Sequence, residues 1–275
     1  IEQGLIEEVK EILNKYDNEE DKLLVSKVLD KLEFVQKKNS IETTDFLDMH
    51  QKTVAEKVLK SQKITNYICY GGYSNAERVM IIIYPEKLED VFNNNQYDFN
   101  NIVRVIRVIL PNEMKGKYSH RDYLGAVIKV GLKREKVGDI IVNLDGADLI
   151  VSKDISKYIV DSFKELTRFS KSDIYEESIE KLNITEPKTE VLNIIIPSMR
   201  MDSIVSELIR TSRSKALEII NAERVFVNSE VITKNSKMLK ENDMITVRGK
   251  GRFKIIKILN STKKGNLVLE VEKYV

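Results

Sequence analysis

The sequence predicts an α+β protein in three parts: a helical N-terminal segment (1–63), a mixed middle domain (64–185) and a small C-terminal domain (190–275). Three observations predict it. Apolar residues recur at helical spacing through the first 63 residues. Short apolar runs broken by Gly and Pro replace them as far as about residue 185. The chain then turns basic: residues 199–275 hold 16 Lys+Arg against 9 Asp+Glu, while 1–198 hold 29 against 34. A net charge of +2 therefore conceals +7 at one end, which suits a polyanionic partner there.

In the first part, Leu5, Ile6, Val9, Ile12 and Leu13 make one helical stripe, and Leu24, Val28, Leu32 and Val35 make another. A third helix is expected from Thr44–Asp45, carrying Phe46, Val54, Val58 and Leu59 inward. A small core explains these stripes better than a partner-binding face does. In the second part, Tyr67–Tyr70 and Val79–Tyr84 form strands bounded by Gly71-Gly72 and Pro85, and Ile102–Leu110 forms a third. Ser119 and Asp122 have capping-box spacing and open a helix through Val130. Ile140–Leu144 and Asp148–Ser152 flank Asp145-Gly146, a hairpin signal. Asp154 caps a helix carrying Ile155, Ile159, Val160 and Phe163, so helices are expected on one face of a sheet. From Arg104 to Lys136 there are nine cations against three acids, a second basic surface including His120, Arg121, Lys133 and Arg134. His120 and Arg121 suit anion contacts and structural roles equally.

Pro187 marks a polar linker over Thr185–Glu190; Leu192–Ile196 is strand-like and Pro197 stops it. Asp202 is placed to cap a helix with Ile204, Val205, Leu208 and Ile209 on its apolar face. Ser212 is placed to cap the next, with Ala216, Leu217 and Ile220 inward. Arg213 and Lys215 then sit in its first turn, where free amides, the helix dipole and two cations suit a phosphate. Val225, Val227 and Val231 form a hairpin turning at Asn228-Ser229. Lys234, Lys237 and Lys240 follow on a loop, and Asp243–Val247 is a strand. Arg248, Lys250 and Arg252 are spaced by glycines that let a ligand approach the backbone. Phe253 suits a packing role more than base stacking.

Several function classes drop out. No apolar run approaches the roughly 18 residues that span a bilayer, and Ile1-Glu2-Gln3 has neither the basic start nor the apolar core of a secretory signal. A start at Ile1 implies that initiator residues are missing. Cys69 is the single cysteine, expected as a small apolar-strand residue in a reducing cytoplasm, and no cysteine zinc site is possible. With only His50 and His120, no histidine-rich metal site is expected, and no cofactor. His120-Arg121-Asp122 echoes a kinase catalytic loop, but Val127 stands where the magnesium-binding Asn is required. Gly249-Lys250-Gly251 lacks the third glycine and strand-to-helix turn of a dinucleotide fingerprint. No catalytic residue is assigned.

From Met199 to about Val247 the chain resembles the alpha-L RNA-binding module of a small-subunit ribosomal protein, bacterial tyrosyl-tRNA synthetases and pseudouridine synthases. Arg200-Met201-Asp202, Ser212-Arg213-Ser214-Lys215-Ala216 and Arg224-Val225-Phe226-Val227-Asn228 match its pattern. Glu223 and Ser229 replace its glycines, which leaves the turn geometry open. The resemblance implies that Arg200, Ser212, Arg213, Lys215, Arg224 and Lys237 face RNA. With the stretches Gly71–Arg78 and Ser119–Ile140, most of the chain is similar to the YlmH family. That resemblance implies an RNA-recognition-like middle domain. It also implies a non-enzymatic, cytoplasmic, monomeric factor docked on the large ribosomal subunit. Its partners would be rRNA and, as a further candidate, tRNA, and its role quality control of stalled nascent chains. An RNA-modifying enzyme with a catalytic middle domain around Asp122, Asp139 or Asp145 is the alternative, and a cell-division-linked interaction scaffold another.

Overall fold

Polar side chains set where the first helices begin. The computed structural model describes the backbone of residues 2–275 and side chains from residue 7, so the predicted stripe positions Leu5 and Ile6 lie outside the described side chains. The chain divides into two units, one ending at Thr185 and the other spanning Glu186–Val275. In the first unit, helix α1 (Glu2–Leu13) is followed by α2 (Glu19–Lys38), where the Asn18 side chain accepts from the Asp21 amide at 2.7 Å. Helix α3 (Met49–Ser61) begins after Asp48, which forms a capping box with Gln51. It therefore starts beyond Thr44–Asp45, where the spacing places it. The Thr44 hydroxyl instead accepts from the Ile81 amide at 2.9 Å.

Strand β1 (Glu42–Thr43) pairs with β3 (Met80–Ile83), which pairs with β2 (Tyr67–Tyr70), all antiparallel. Of the predicted stripes of α2 and α3, Val28, Leu32, Val35, Val54, Val58 and Leu59 are buried in one core with Ile81 and Ile83, while Leu24 is only partly buried and its neighbour Val25 takes the inward position. The two strands that the pattern groups with the middle region thus pack on the N-terminal helices. Phe46 leaves the α3 stripe altogether. It is buried with Val105, Ile141 and Ile150 of the next sheet.

After the short helix α4 (Glu89–Asn93) come β4 (Val103–Ile109), α5 (His120–Lys129), β5 (Val137–Val142), β6 (Gly146–Ser152), α6 (Lys153–Glu165) and β7 (Asp173–Glu177). The strand order is β5-β6-β4-β7, antiparallel throughout, with β4 and β6 central. This βαββαβ order is RNA-recognition-like. Ser119 and Asp122 form the expected capping box. Asp154 does not cap α6, because the helix starts at Lys153 after Ser152 and places Asp154 in its first turn. Side chains alternate across each strand. Ile106, Val108, Leu149 and Val151 face α5 and α6, where they pack on Tyr123, Val127, Ile159 and Phe163.

The opposite face of this sheet is closed by its own chain. Val105 and Ile150 are buried under Phe46 and Ile179, with Tyr73 and Leu182 packed alongside. Gly72 (φ +94°) lies so close that a Cβ there would stand 2.9 Å from Ile179 and 3.1 Å from Ile150. Arg107 grips Asp148 through two 2.9 Å hydrogen bonds and donates to the Lys181 carbonyl at 2.6 Å, while the Asn183 amide donates to Asp148 at 2.8 Å. These bonds strap the segment around 181–183 across the sheet.

The second unit contains β8 (Thr189–Ile196), α7 (Met201–Leu208), α8 (Arg213–Asn221), β9 (Val225–Val227), β10 (Glu230–Val231), β11 (Met244–Val247), β12 (Gly251–Ser261) and β13 (Leu267–Tyr274). One six-stranded sheet runs β10-β9-β11-β12-β13-β8. Its core joins Ile204, Val205 and Ile220 of the helices to Val225, Ile245, Phe253, Leu269 and Val271 of the strands. Phe253 is 2% exposed, so it packs and is not presented to a ligand. The predicted cation loop is shorter than its glycines suggest: Gly251 already starts β12, and only residues 248–250 form the turn. Among the described residues no helix is long and apolar enough to cross a membrane.

Candidate nucleic-acid interface

Backbone hydrogen bonds assemble the C-terminal cluster before any cation is considered. The Met201 amide donates to the Lys237 carbonyl at 2.8 Å, Asp202 to Asn235 at 3.1 Å, and Leu239 to Met199 at 2.8 Å. The loop carrying Lys237 is thereby clamped against the start of α7.

Asp202 organises the arginines. Arg200, not Asp202, occupies the α7 N-cap position, and it makes no side-chain cap. The Asp202 carboxylate is 3% exposed and accepts from Arg200 Nε at 3.1 Å, Arg200 Nη2 at 2.8 Å, Arg213 Nη2 at 3.2 Å and the Ser203 amide at 2.9 Å. The Arg200 guanidinium holds the carboxyl below its usual range against the opposing effect of burial, and Asp202 in turn raises the Arg200 pKa. Two cations from different helices are thus tethered to one buried acid. Arg213 remains exposed beyond it.

Ser212 caps α8 as its spacing predicts, accepting from the Lys215 amide at 3.2 Å. Arg213 and Lys215 project from the first turn, with Lys215 Nζ 2.7 Å from Glu218. At the far end of the helix, Arg224 Nη2 donates to the Arg248 carbonyl at 3.0 Å, and the Arg248 amide donates to the Arg224 carbonyl at 2.9 Å. Arg224, Arg248 and Lys250 are all exposed. Arg252 lies apart from this turn, on β12 opposite Thr246, with its guanidinium 5.3 Å over the Tyr274 ring. The two positions where glycine is missing keep the backbone that glycine favours: Glu223 and Ser229 have φ of 56° and 67°, and the neighbouring Asn228 has φ 51°. Asn228 secures the turn, accepting from the Met244 amide and donating to Asp243, both at 2.9 Å. The arrangement offers fixed amides and guanidiniums to phosphate oxygens, with exposed aromatics scarce.

The middle region's predicted basic residues divide in two. Arg121 and Lys133 are exposed. Arg134 turns inward, its guanidinium donating to the carbonyls of Val137 and, at 2.9 Å, Gly138. Burial and the neighbouring Arg78 lower its pKa to about 10. Desolvation, followed by Arg134, lowers the His120 pKa as well. Asp139, one of the three carboxylates weighed for catalysis, is a structural hub. It accepts from the Tyr73 hydroxyl at 2.7 Å and the Glu77 and Arg78 amides at 2.8 and 3.0 Å, docking the Gly71–Arg78 loop. The other carboxylates considered for catalysis are also engaged: Asp122 by Ser119 and Arg168, Asp145 by Lys115. A cleft of about 630 Å³ lies elsewhere, between Lys31, Asp45, Tyr97 and Lys136. Cys69 is partly buried, and burial, then Glu56, push its thiol up to about 12.

Three family patterns match in succession. "YlmH, N-terminal" matches residues 20–88, "Putative RNA-binding domain in YlmH" residues 95–181, and "S4 domain" residues 199–245. A Bacillus subtilis (strain 168) protein named "Ribosome-associated protein quality control protein P2" is 29% identical over 247 residues, covering 89% of this chain and 92% of that protein. The solved structure "Cell division protein ylmH from Streptococcus pneumoniae" aligns with a TM-score of 0.45 at 18% identity, covering 61% of this chain and 98% of that one. With both YlmH patterns followed by an S4 domain in the same order as the observed elements, the chain belongs to the YlmH family.

Proposed function

We propose that the protein is a non-enzymatic RNA-binding factor that docks on the large ribosomal subunit, contacting rRNA, with tRNA as a further candidate partner, in quality control of stalled nascent chains. The observation that carries this reading is the cation cluster of the S4 domain. Arg200 and Arg213 share the buried Asp202, Lys215 projects from the α8 N-terminus, and Arg224 is tied to the Arg248 backbone. Lys237, on the loop clamped to the start of α7, and the exposed Lys250 add further cations, and Arg252 on β12 is a more distant candidate contact. Rigid guanidiniums suit phosphates bidentately, and a prearranged set loses little conformational freedom on binding. The ribosomal setting is supported by the name of the Bacillus subtilis relative. Arg121 and Lys133 supply a second, weaker contact, and two linked contacts bind more tightly than either alone. Arg213→Glu combined with Lys215→Glu is expected to abolish co-sedimentation with large subunits at moderate salt. Unchanged co-sedimentation would refute the reading.

A further inference from the structure

An RNA-recognition-like sheet ordinarily offers aromatic side chains on its open face to unstacked bases. Here the corresponding central strands, β4 and β6, carry no aromatic residue. Their outer face is buried under Phe46, Gly72 and Ile179 and crossed by the Arg107–Asp148 strap. Base stacking on this sheet is therefore closed off by the chain itself. The outer face of α5, by contrast, is open, with Arg121, Gly125, Ile128 and Lys129 exposed.

Gly125 sits in the middle of α5 with no heavy atom within 4 Å of the place a Cβ would occupy. Neither packing nor a turn calls for glycine there, and mid-helix glycine is less favourable than almost any other residue. One turn to each side lie Arg121 and Lys129, about 12 Å apart along the helix axis. The following loop adds Gly131 (φ +85°), whose surroundings are equally empty, and Lys133. Arg121, Lys129 and Lys133 are exposed. Among the described residues none of the three joins an ion pair, and Asp122 is held by Ser119 and Arg168. Three exposed cations, of which only Arg121 feels a nearby acid, Asp122, thus flank a strip of bare backbone. A bare strip of this kind admits a ligand's backbone to close contact.

We propose that the outer face of α5, with residues 130–133, is a contact surface for the ribose-phosphate backbone of RNA, and that Gly125 is where the RNA comes closest. The domain then reads RNA through a helix face and not through its sheet. This deepens the function proposed above and rests on it. The test uses the full chain with rRNA extracted from large subunits. Gly125→Gln, a better helix former with a larger side chain, is expected to raise Tm while weakening binding about tenfold, equivalent to about 1.4 kcal/mol. Arg121→Gln with Lys129→Gln is expected to weaken binding similarly without altering the fold. A photo-crosslinking phenylalanine at position 125 is expected to give nuclease-sensitive adducts. Wild-type affinity in both variants, or adducts with protein alone, would overturn the proposal. Arg213→Glu with Lys215→Glu, run in parallel, separates the two claims. If that pair loses rRNA while the α5 variants keep it, the α5 surface fails and the S4 contact stands. If the α5 variants lose rRNA while that pair keeps it, the α5 surface stands and the S4 contact fails.

Discussion

Asp202 brings a negative charge into a module whose proposed partner is a polyanion, and its buried carboxylate aims Arg200 and Arg213. Two expectations oppose each other in Asp202→Asn. The substitution adds one unit of net positive charge, which by charge alone tightens RNA binding. It also removes the shared acceptor that fixes both guanidiniums, which weakens binding. The geometry predicts weaker binding, measurable by filter binding with circular dichroism as a fold control; tighter binding would show that Asp202 does not position them. A pH effect has a definite sign. The folded Asp202 carboxyl titrates below its ordinary range, held there first by Arg200. Its contribution is fully present above the unfolded pKa of about 3.9 and is lost as pH falls through the lower folded value. Urea titrations of the wild type should show this component from pH 7 down to about 4 and lose it only in stronger acid. Asp202→Asn should lack it throughout.

At the scale of elements, the strap across the middle sheet and the turn between β9 and β10 make separate predictions. Breaking a buried ion pair strands the remaining charge, so Asp148→Ala is expected to cost about 3–5 kcal/mol in urea unfolding. A loss below about 1 kcal/mol would mean that the strap does not hold the sheet face closed. Ser229 bears a left-handed backbone that costs a non-glycine residue energy, partly offset by the greater freedom of glycine when unfolded. Ser229→Gly is therefore expected to stabilise the S4 domain by about 0.5–1 kcal/mol. Elements with local signals were legible in the sequence. The Ser119–Asp122 box, the Ser212 cap and the Asn228-Ser229 turn lie within a few residues of what they organise. Elements defined by distant partners were not. Glu42–Thr43 pairs with Ile82–Ile83, and β8 finds β13 at the other end of the unit. Phe46 fits a helical period, yet it enters a core built by strands far along the chain. Spacing records which face is apolar, not which sheet will cover it.

At the scale of the whole molecule, the charge asymmetry and the S4 motif pointed to the same end of the chain, because the motif's residues are nearly contiguous. The clamp that aims the arginines and the closed middle sheet were hidden, since both depend on residues meeting across loops and sheets. The account's central claim is that the S4 domain docks through phosphate contacts made by prearranged cations. The most direct measurement is the salt dependence of rRNA binding. Log affinity should fall linearly with log salt at about 0.7–0.9 per phosphate neutralised. Replacing Arg213 and Lys215 by Gln should flatten that slope by about 1.4–1.8, corresponding to two lost contacts. A slope unchanged by the double substitution would contradict the claim.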